Sequence, residues 1–570
     1  MKKFMAILIS MLCALGSLSF VGCGKAAGGA YKLQIWCNEA GYGTAWITDA
    51  LEIFVEQDWV KAKYPEGVSY DKVDTAGNSN SGLDWLTGGG TQYDIVMPTG
   101  GLTSGTYLEN YTMFANLNEL YDTQIPGEEK TLLEKMIPNV AAETALAIKG
   151  EEDAIRLSIP WINGAHGWFY NETSLREYLQ LAGSDYVSAD GTITLPNTTN
   201  EFIVMLEDLR YAMIKEANPG VPEDQWDTKK VTNWSIFHHN ESVSYWTSDA
   251  TVWWAQYDGV DGYNNYFLGQ DTEGAIDVAA AAENTKSTGR LRALEVLDSI
   301  INLGNGHAYG KWNLERNTYR PTLGRLAEGS QFIFTSNGDW CENETKPYHK
   351  EGEVIRMMKT PVISSIVEKL SGGFSSADPA KADEVLSVVI GFIDAGYDYQ
   401  ETATQTIQHG ITLEEEDYNI IKLARNTVSR VGGHGMYIPD YADAKELAKD
   451  FLLFLASDAG IESMMSNGIY SSYMYDYNAK PEVTATLTQM RKDFIKVMDD
   501  AREAGGLLRN PESFPTVYYG KFGPWKDAEH PHIGAAFLAI TSAARSSAEE
   551  IWQNCFQSEA QMSIYLASSK

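Results

Sequence analysis

The sequence predicts an α/β protein of two lobes, built on open, mainly parallel sheets flanked by helices. Three observations carry this. Between Lys32 and Met97 the hydrophobic pattern switches repeatedly between the strand period and the helix period. The chain has 570 residues, more than one simple core organises, and 44% of them are hydrophobic, too many for a disordered chain. A second amphipathic helix far downstream begins at Asp443, with Glu446 placed as in a capping box, and carries Leu447, Phe451, Phe454 and Leu455 toward Gly460.

The elements follow in order. Lys32 to Trp36 reads as a strand, and Thr44 then caps a helix whose apolar residues Ile47, Leu51, Phe54 and Val55 recur at one-turn spacing. Val68 to Val73 returns as a strand. A short helix around Leu83 to Leu86 ends at Gly88-Gly89-Gly90, and Tyr93 to Met97 is a third strand stopped by Pro98. Gly88 to Gly90 precede a strand and no Lys-Ser/Thr follows them, so they are a helix stop and not a phosphate cradle. Successive parallel strands joined by crossover helices form an open sheet, and the loops after their carboxyl ends line the crevice where ligands bind. Those loops are Cys37 to Tyr42, Asp74 to Asn80 and Pro98 to Gly101. Further on, Val385 to Ile393 is the densest apolar run and reads as a buried strand.

The N-terminus reads as an address. Lys2 and Lys3 precede an apolar run from Phe4 to Val21, followed by Gly22-Cys23. The run is shorter than the roughly 20 residues a spanning helix needs, which makes a signal segment the better reading than a membrane anchor. Residues 24–29 then form a small flexible leash.

Composition narrows the function. A formal charge of -33 repels the phosphate backbone of nucleic acids, so no nucleic-acid partner is expected. Cys37, Cys341 and Cys555 cannot all pair internally, so the chain is not a disulfide scaffold. The pairs His238-His239 and His530/His532 lack a third ligand at metal spacing, and neither metal nor other cofactor is expected. The run Glu414 to Asp417 reads as solvated surface. Fifteen Trp, 31 Tyr and 19 Phe suit stacking on apolar ligand faces as readily as core filling.

Five segments in this order carry a resemblance: the Phe20 to Cys23 lipobox, KLQIWCNEAGYG, YDIVMPTG, IPWINGAHGWFYN, and EGSQFIFTSNGDW with VGGHGMYIP before a capped helix. Together they resemble the extracellular solute-binding proteins of bacterial ABC importers, the family that includes the maltose-binding protein. The resemblance implies a type II periplasmic-binding-protein-like fold that holds ligand between two lobes. It also implies lipidation of Cys23 after removal of residues 1–22, although Phe20 stands where the lipobox usually has Leu and leaves ordinary signal-peptidase cleavage open. The residues 23–30 would be the lipidated cysteine and leash. One lobe would comprise 31–156 and 361–458, the other 157–360 and 459–570, with insertions at 181–235 and 400–430. The expected protein is a non-enzymatic, lipid-anchored, extracytoplasmic monomer that delivers a carbohydrate, most simply an oligosaccharide, to the transmembrane subunits of a permease.

Sugars present hydroxyl edges to polar side chains and C–H faces to aromatic rings. Asn337-Gly338-Asp339-Trp340 combines these chemistries and resembles the Asn-Gly-x-Trp segment that supplies an aromatic platform in maltose-type receptors. Trp340 is the expected platform and Asp339 the hydroxyl acceptor, with a core tryptophan as the plain alternative. Asn38, Glu39 and Tyr42 follow the first strand, where Glu39 equally suits a helix N-terminus. Asn78 and Thr99 occupy corresponding loops. Asn163, His166 and Trp168 come from the crossover segment, with Trp168 and Tyr170 on one strand face and Phe169 on the other. Trp254, from the cluster Trp253 to Tyr257, and the Gly433-His434 turn complete the candidates. Two other readings stand beside this one: a receptor for a peptide, polyamine or polyol, and a secreted glycoside hydrolase. No Gly-x-Ser-x-Gly or His-Glu-x-x-His motif supports an enzyme.

Overall fold

The computed structural model describes residues 31–38, 41–75, 93–98, 110–148, 150–231, 237–238, 244–301, 303, 319–329, 332–371, 374, 378–470, 474–514 and 546–568. The signal segment, Cys23, the leash, the helix expected near Leu83 and Gly88 to Gly90 lie outside them, as do Glu39, Asn78, Thr99, His239, His530 and His532.

The opening unit folds as its periodicity requires. Strand β1 (Tyr31–Asn38) leads to helix α1 (Ala45–Glu56), and β2 (Val68–Thr75) and β3 (Ile95–Met97) both pair parallel to β1. Alternation sorts the side chains: Leu33, Ile35 and Cys37 of β1 face one core with Ile47, Leu51 and Phe54 of α1, while Trp36 faces a smaller cluster on the other side.

Strand β4 (Ser158–Asn171) is the pivot of the molecule. Its residues Ser158 to Ala165 pair antiparallel with β8 (Arg430–Tyr437), which itself pairs with β3. Its residues His166 to Asn171 pair with β6 (Phe334–Gly338) on one edge and β7 (Ile355–Met358) on the other. The two-residue β5 (Phe237–His238) runs parallel to β6 at the far end. The order β2-β1-β3-β8-β4-β6-β5 is therefore two open sheets sharing one strand, with helices packed on both. Pairing is mixed: it is parallel in β2-β1-β3 and β5-β6, and antiparallel wherever β4 or β8 takes part. Register shifts between Pro160 and Ile162 and between Asn163 and Ala165 mark the passage from the first sheet to the second. Such bulges bend a strand and raise its twist, which is what a strand serving two sheets needs.

Helix α2 (Glu172–Ala182), helix α3 (Thr199–Ala217) and helix α4 (Ser244–Leu268), kinked at Gly259, cover the second sheet with an aromatic-rich core. The short helix α5 (Cys341–Thr345) follows β6. The run read as a buried strand, Val385 to Ile393, is instead part of helix α6 (Pro379–Asp394). Its buried residues Val385, Leu386, Val389, Ile390 and Ile393 recur at helical spacing, a stripe that the intervening Val388 and Phe392 conceal in the linear sequence. Helix α7 (Glu415–Arg425) begins in the acidic run; Glu414, Glu415 and Glu416 are exposed, but Asp417 is buried and accepts from the Ser371 amide and hydroxyl.

Packing divides the chain differently from the expected boundaries. Residues from Val362 to Ala424 pack with Trp168 and Tyr170 on the second sheet, because α6 and α7 lay their apolar stripes there. Helix α8 (Lys445–Ala456) and helix α9 (Asp458–Ser466) both lie against α1, on the first sheet. Helix α10 (Gln489–Ala504) packs on β7 of the second sheet, while its buried residues Met490, Phe494 and Met498 share the core of β1 and α1.

The start of α8 also departs from expectation. No capping box forms at Asp443; the cap position is Ala444, and its amide donates to Asp94 Oδ1 at 2.9 Å. Glu446 pairs with Lys449 instead. Asp94 Oδ2 takes the Gln34 amide at 2.9 Å, so one buried carboxylate ties β1 to α8. Asp94→Ala leaves both amides without an acceptor and should lower stability by about 2 kcal/mol, with Asp94→Asn milder; thermal unfolding followed by circular dichroism measures both.

Candidate functional site

The shared strand sets the site. Trp161 sits at the first bulge of β4 and is sandwiched between Trp46 of α1 (ring centroids 5.1 Å, 26° between planes) and His434 of β8 (5.5 Å, 24°). Tyr42, in the loop after β1, meets three rings edge-on: Trp161 at 5.4 Å, Trp340 at 5.8 Å and His434 at 6.2 Å. Edge-to-face contact suits aromatic quadrupoles, so Tyr42 is held as a hub. Trp46, Trp161 and Tyr42 are buried, whereas Trp340 and His434 are half-buried and form the rim.

The turn after β6 joins this cluster to the second sheet. The Tyr42 hydroxyl donates to Asp339 Oδ1 at 2.6 Å, and the Asn343 side-chain amide donates to the Gly41 carbonyl at 2.6 Å. Asp339 is also bonded to the bulged segment of β4: its amide donates to the Ala165 carbonyl at 3.0 Å, and its Oδ1 accepts from the Ala165 amide at 3.3 Å. The other oxygen, Oδ2, is buried without a hydrogen-bond partner among the described residues. Burial pushes the Asp339 carboxyl up to about 7, against the opposing pull of the Tyr42 and Ala165 bonds. The Trp340 ring lies over Gly338, where any Cβ would come within 2.3 Å of it, so the ring's position depends on that glycine.

Among the sequence-predicted residues, the fold brings together Tyr42, Asp339, Trp340 and His434. Asn163 lies opposite Gly433 in the β4–β8 pairing. Asn38 and Asn337 are buried at their strand ends; Asn337 Oδ1 is occupied by the Gly338 amide at 2.7 Å. Two tryptophans must be reassigned. Trp168 is fully buried between Phe202 and Trp253, because its strand face points into the core of the second sheet. Trp254 is buried against Tyr263 and Tyr266, and its indole donates to Asp258 at 2.8 Å. The strand alternation itself is as expected, with Trp168 and Tyr170 in one core and Phe169 in the other.

His166 is also internal. Its Nε2 is hydrogen-bonded to Ser336 Oγ, and its Nδ1 lies 3.5 Å from Asp249. Burial pushes His166 down to about 3 and the Asp249 carboxyl well above its usual range, so burial favours the neutral form of both groups. It is a buried polar contact between α4 and the two strands, away from the aromatic rim. The residues that sequence reasoning missed are Trp46 and Trp161. Trp161 lies within a segment already singled out, but strand alternation could not show the bulge that turns it toward His434.

No protein-family model matches the chain, and no curated protein matches it. Similar solved structures include a maltose-bound MalE3 from T. maritima (12% identity, TM-score 0.49, over 94% of this chain and 100% of that one). They also include a family 1 extracellular solute-binding protein from Bifidobacterium longum subsp. infantis (13%, TM-score 0.46, 94% and 100%). A third is the cyclic alpha-maltosyl-1,6-maltose binding protein from Arthrobacter globiformis (14%, TM-score 0.48, 94% and 99%).

Burial lowers the His434 imidazole to about 4, below the usual histidine value near 6.5. The unfolded chain therefore takes up this proton first as pH falls, and stability from His434 is lost between about 6.5 and 4. His434→Gln should flatten the fall of melting temperature over that window relative to the unmodified protein, as read by calorimetry at a series of pH values.

Proposed function

We propose that the protein is a non-enzymatic substrate-binding protein that captures a carbohydrate where its two sheets meet. The observation that carries this is the aromatic cluster at the junction, whose half-buried rim is Trp340 on the second sheet and His434 on the first. Two flat faces on opposite sides of a junction suit a ligand with apolar C–H faces and hydroxyl edges. The imidazole of His434 is uncharged at neutral pH and offers a neutral hydrogen-bonding group to such hydroxyls. Hydrolysis of a glycoside needs two carboxylates across the scissile bond, and Oδ1 of Asp339, the carboxylate bonded into this cluster, is committed to Tyr42. In this reading the ligand is an oligosaccharide, delivered to an ABC permease by a protein tethered outside the cytoplasm through Cys23. Asn163 and Gly433 lie opposite each other in the β4–β8 pairing beside the His434 rim, and Asn38, Glu39, Asn78 and Thr99 stay expectations of the sequence.

Thermal-shift screening against mono- and oligosaccharides, with peptides and polyamines as controls, tests this directly. A ligand at 100 times its Kd adds roughly 2.7 kcal/mol of apparent stability. A shift with one glycan class, with the glycan recovered intact, supports the reading; a shift with a control solute alone, or cleavage of the glycan, overturns it. For a glycan that shifts the protein, Trp340→Ala should weaken binding about tenfold or more, equivalent to ~1.4 kcal/mol, with little change in melting temperature. Gly338→Ala, which displaces the Trp340 ring, should weaken binding in the same direction in isothermal titration.

A further inference from the structure

Asp339 holds together three parts of the chain that belong to different sheets. Its Oδ1 accepts from Tyr42, 297 residues away on the first sheet's loop, and from the Ala165 amide at the bulged passage of β4. Its own position is the turn after β6 on the second sheet. A strand shared by two sheets and bulged at the point of sharing is a natural hinge, because only a few residues need change their backbone angles when one sheet rotates against the other. Tyr42 and Asn343 span the hinge from opposite sides, and both of their bonds must break for the sheets to separate.

We propose that Asp339 is a proton-sensitive latch that keeps the two sheets closed on each other through Tyr42 and releases them when its carboxyl ionises. In the closed arrangement the carboxyl is buried and Oδ2 lacks a partner among the described residues, so a charge there is poorly solvated. Separation would expose it to water, where the ionised form is well hydrated. Protons therefore bind preferentially to the closed form. The sign follows: with the closed-form carboxyl at about 7 and a solvated carboxylate near 3.9, closure is favoured at low pH, loses that favour as pH rises to about 7, and is flat above it.

Other described ionisable groups lie around Asp339. Tyr42 is its donor. Tyr470 senses the Asp339 charge, and burial holds its hydroxyl protonated. Glu342 and Glu344 lie on α5, and Glu342 is paired with Arg491 of α10. His434 of β8 acts with the opposite sign below about 6.5, since burial disfavours its cation. Comparison with a variant that cannot ionise at position 339 separates the two.

The latch rests on the hinge geometry and not on what the cluster binds, so its test uses the ligand-free chain. Small-angle X-ray scattering at pH 6 and pH 8 should show the unmodified protein expanding, while Asp339→Asn shows no such change. One group with this behaviour moves the closed-to-open ratio by roughly tenfold between those pH values. Tyr42→Phe, which removes the donor but leaves the carboxyl, should be expanded already at pH 6. Equal radii of gyration for the unmodified protein at both pH values, or the same expansion in Asp339→Asn, overturn the latch. Should Asp339→Asn not fold, Tyr42→Phe decides alone: a radius unchanged from the unmodified protein at pH 6 overturns it.

Discussion

Everything in this molecule depends on β4 serving two sheets at once. Its backbone must satisfy β8 over its first half and both β6 and β7 over its second. A continuous strand cannot do this without a change of twist, and the bulges around Trp161 and Gly164 supply it. Small residues crowd the transition because the neighbours approach closely: a Cβ at Gly167 would lie 2.1 Å from the Met357 side chain. The same passage is braced by a buried ion pair. Arg430, opposite Ala165 in the strand pairing, is bonded to Glu143 and donates through Nε to the Leu508 carbonyl at 2.8 Å. Glu143 also receives the Asn510 amide at 3.0 Å. Three separate chain segments thus meet beside the bulge. A pair so deeply buried gains little stability over an apolar substitute, but removing one partner strands the other charge; its effect is to fix where the passages meet.

That fixed meeting point explains the arrangement of the aromatic cluster. Trp46, Trp161 and His434 stack face to face and come from α1, β4 and β8, elements of the first sheet or its boundary. Trp340 comes from the second sheet, and Tyr42 touches it edge-on. A rotation about the bulges would leave the stack intact and alter contacts that cross between the sheets, among them Tyr42–Trp340, Tyr42–Asp339 and Asn343–Gly41. The rigid part of the site and its movable part are therefore carried by different sheets, which is the division a ligand trap requires.

The sequence disclosed the first sheet well because its elements are local and amphipathic. Strands β1 to β3 and helix α1 each show their period within a few residues. What it hid was non-local. The cap of α8 comes from Asp94, hundreds of residues earlier, so the local Asp443–Glu446 signal was a decoy. Helix α6 looked like a strand because Val388 and Phe392 interrupt its stripe with further apolar residues. Trp168 and Trp254 had the right chemistry for a ligand face, yet which face of an element meets a core is decided by the partner sheet. Trp340 does follow β6 in a turn, but the Gly433-His434 turn expected from its glycines is part of strand β8, where pairing with Ile162 and Asn163 of β4 extends it.

The electrostatics follow the same division. The chain carries a formal charge of -33, but burial pushes His434, His166 and Asp249, at and beneath the junction, toward their neutral forms. His434 and His166 are neutral at pH 7, the Asp249 carboxyl is pushed up by burial, and Asp339 stands near its midpoint. The surface field is screened within about a Debye length, ~8 Å at physiological salt, so it acts on approaching molecules and much less on what sits among these rings. An acidic exterior around a nearly neutral junction selects against anions on approach without adding a cation-binding charge at the site. Within this aromatic cluster Asp339 is the described group that stands near its midpoint at neutral pH, and its Oδ1 is the atom bonded across the two sheets to Tyr42.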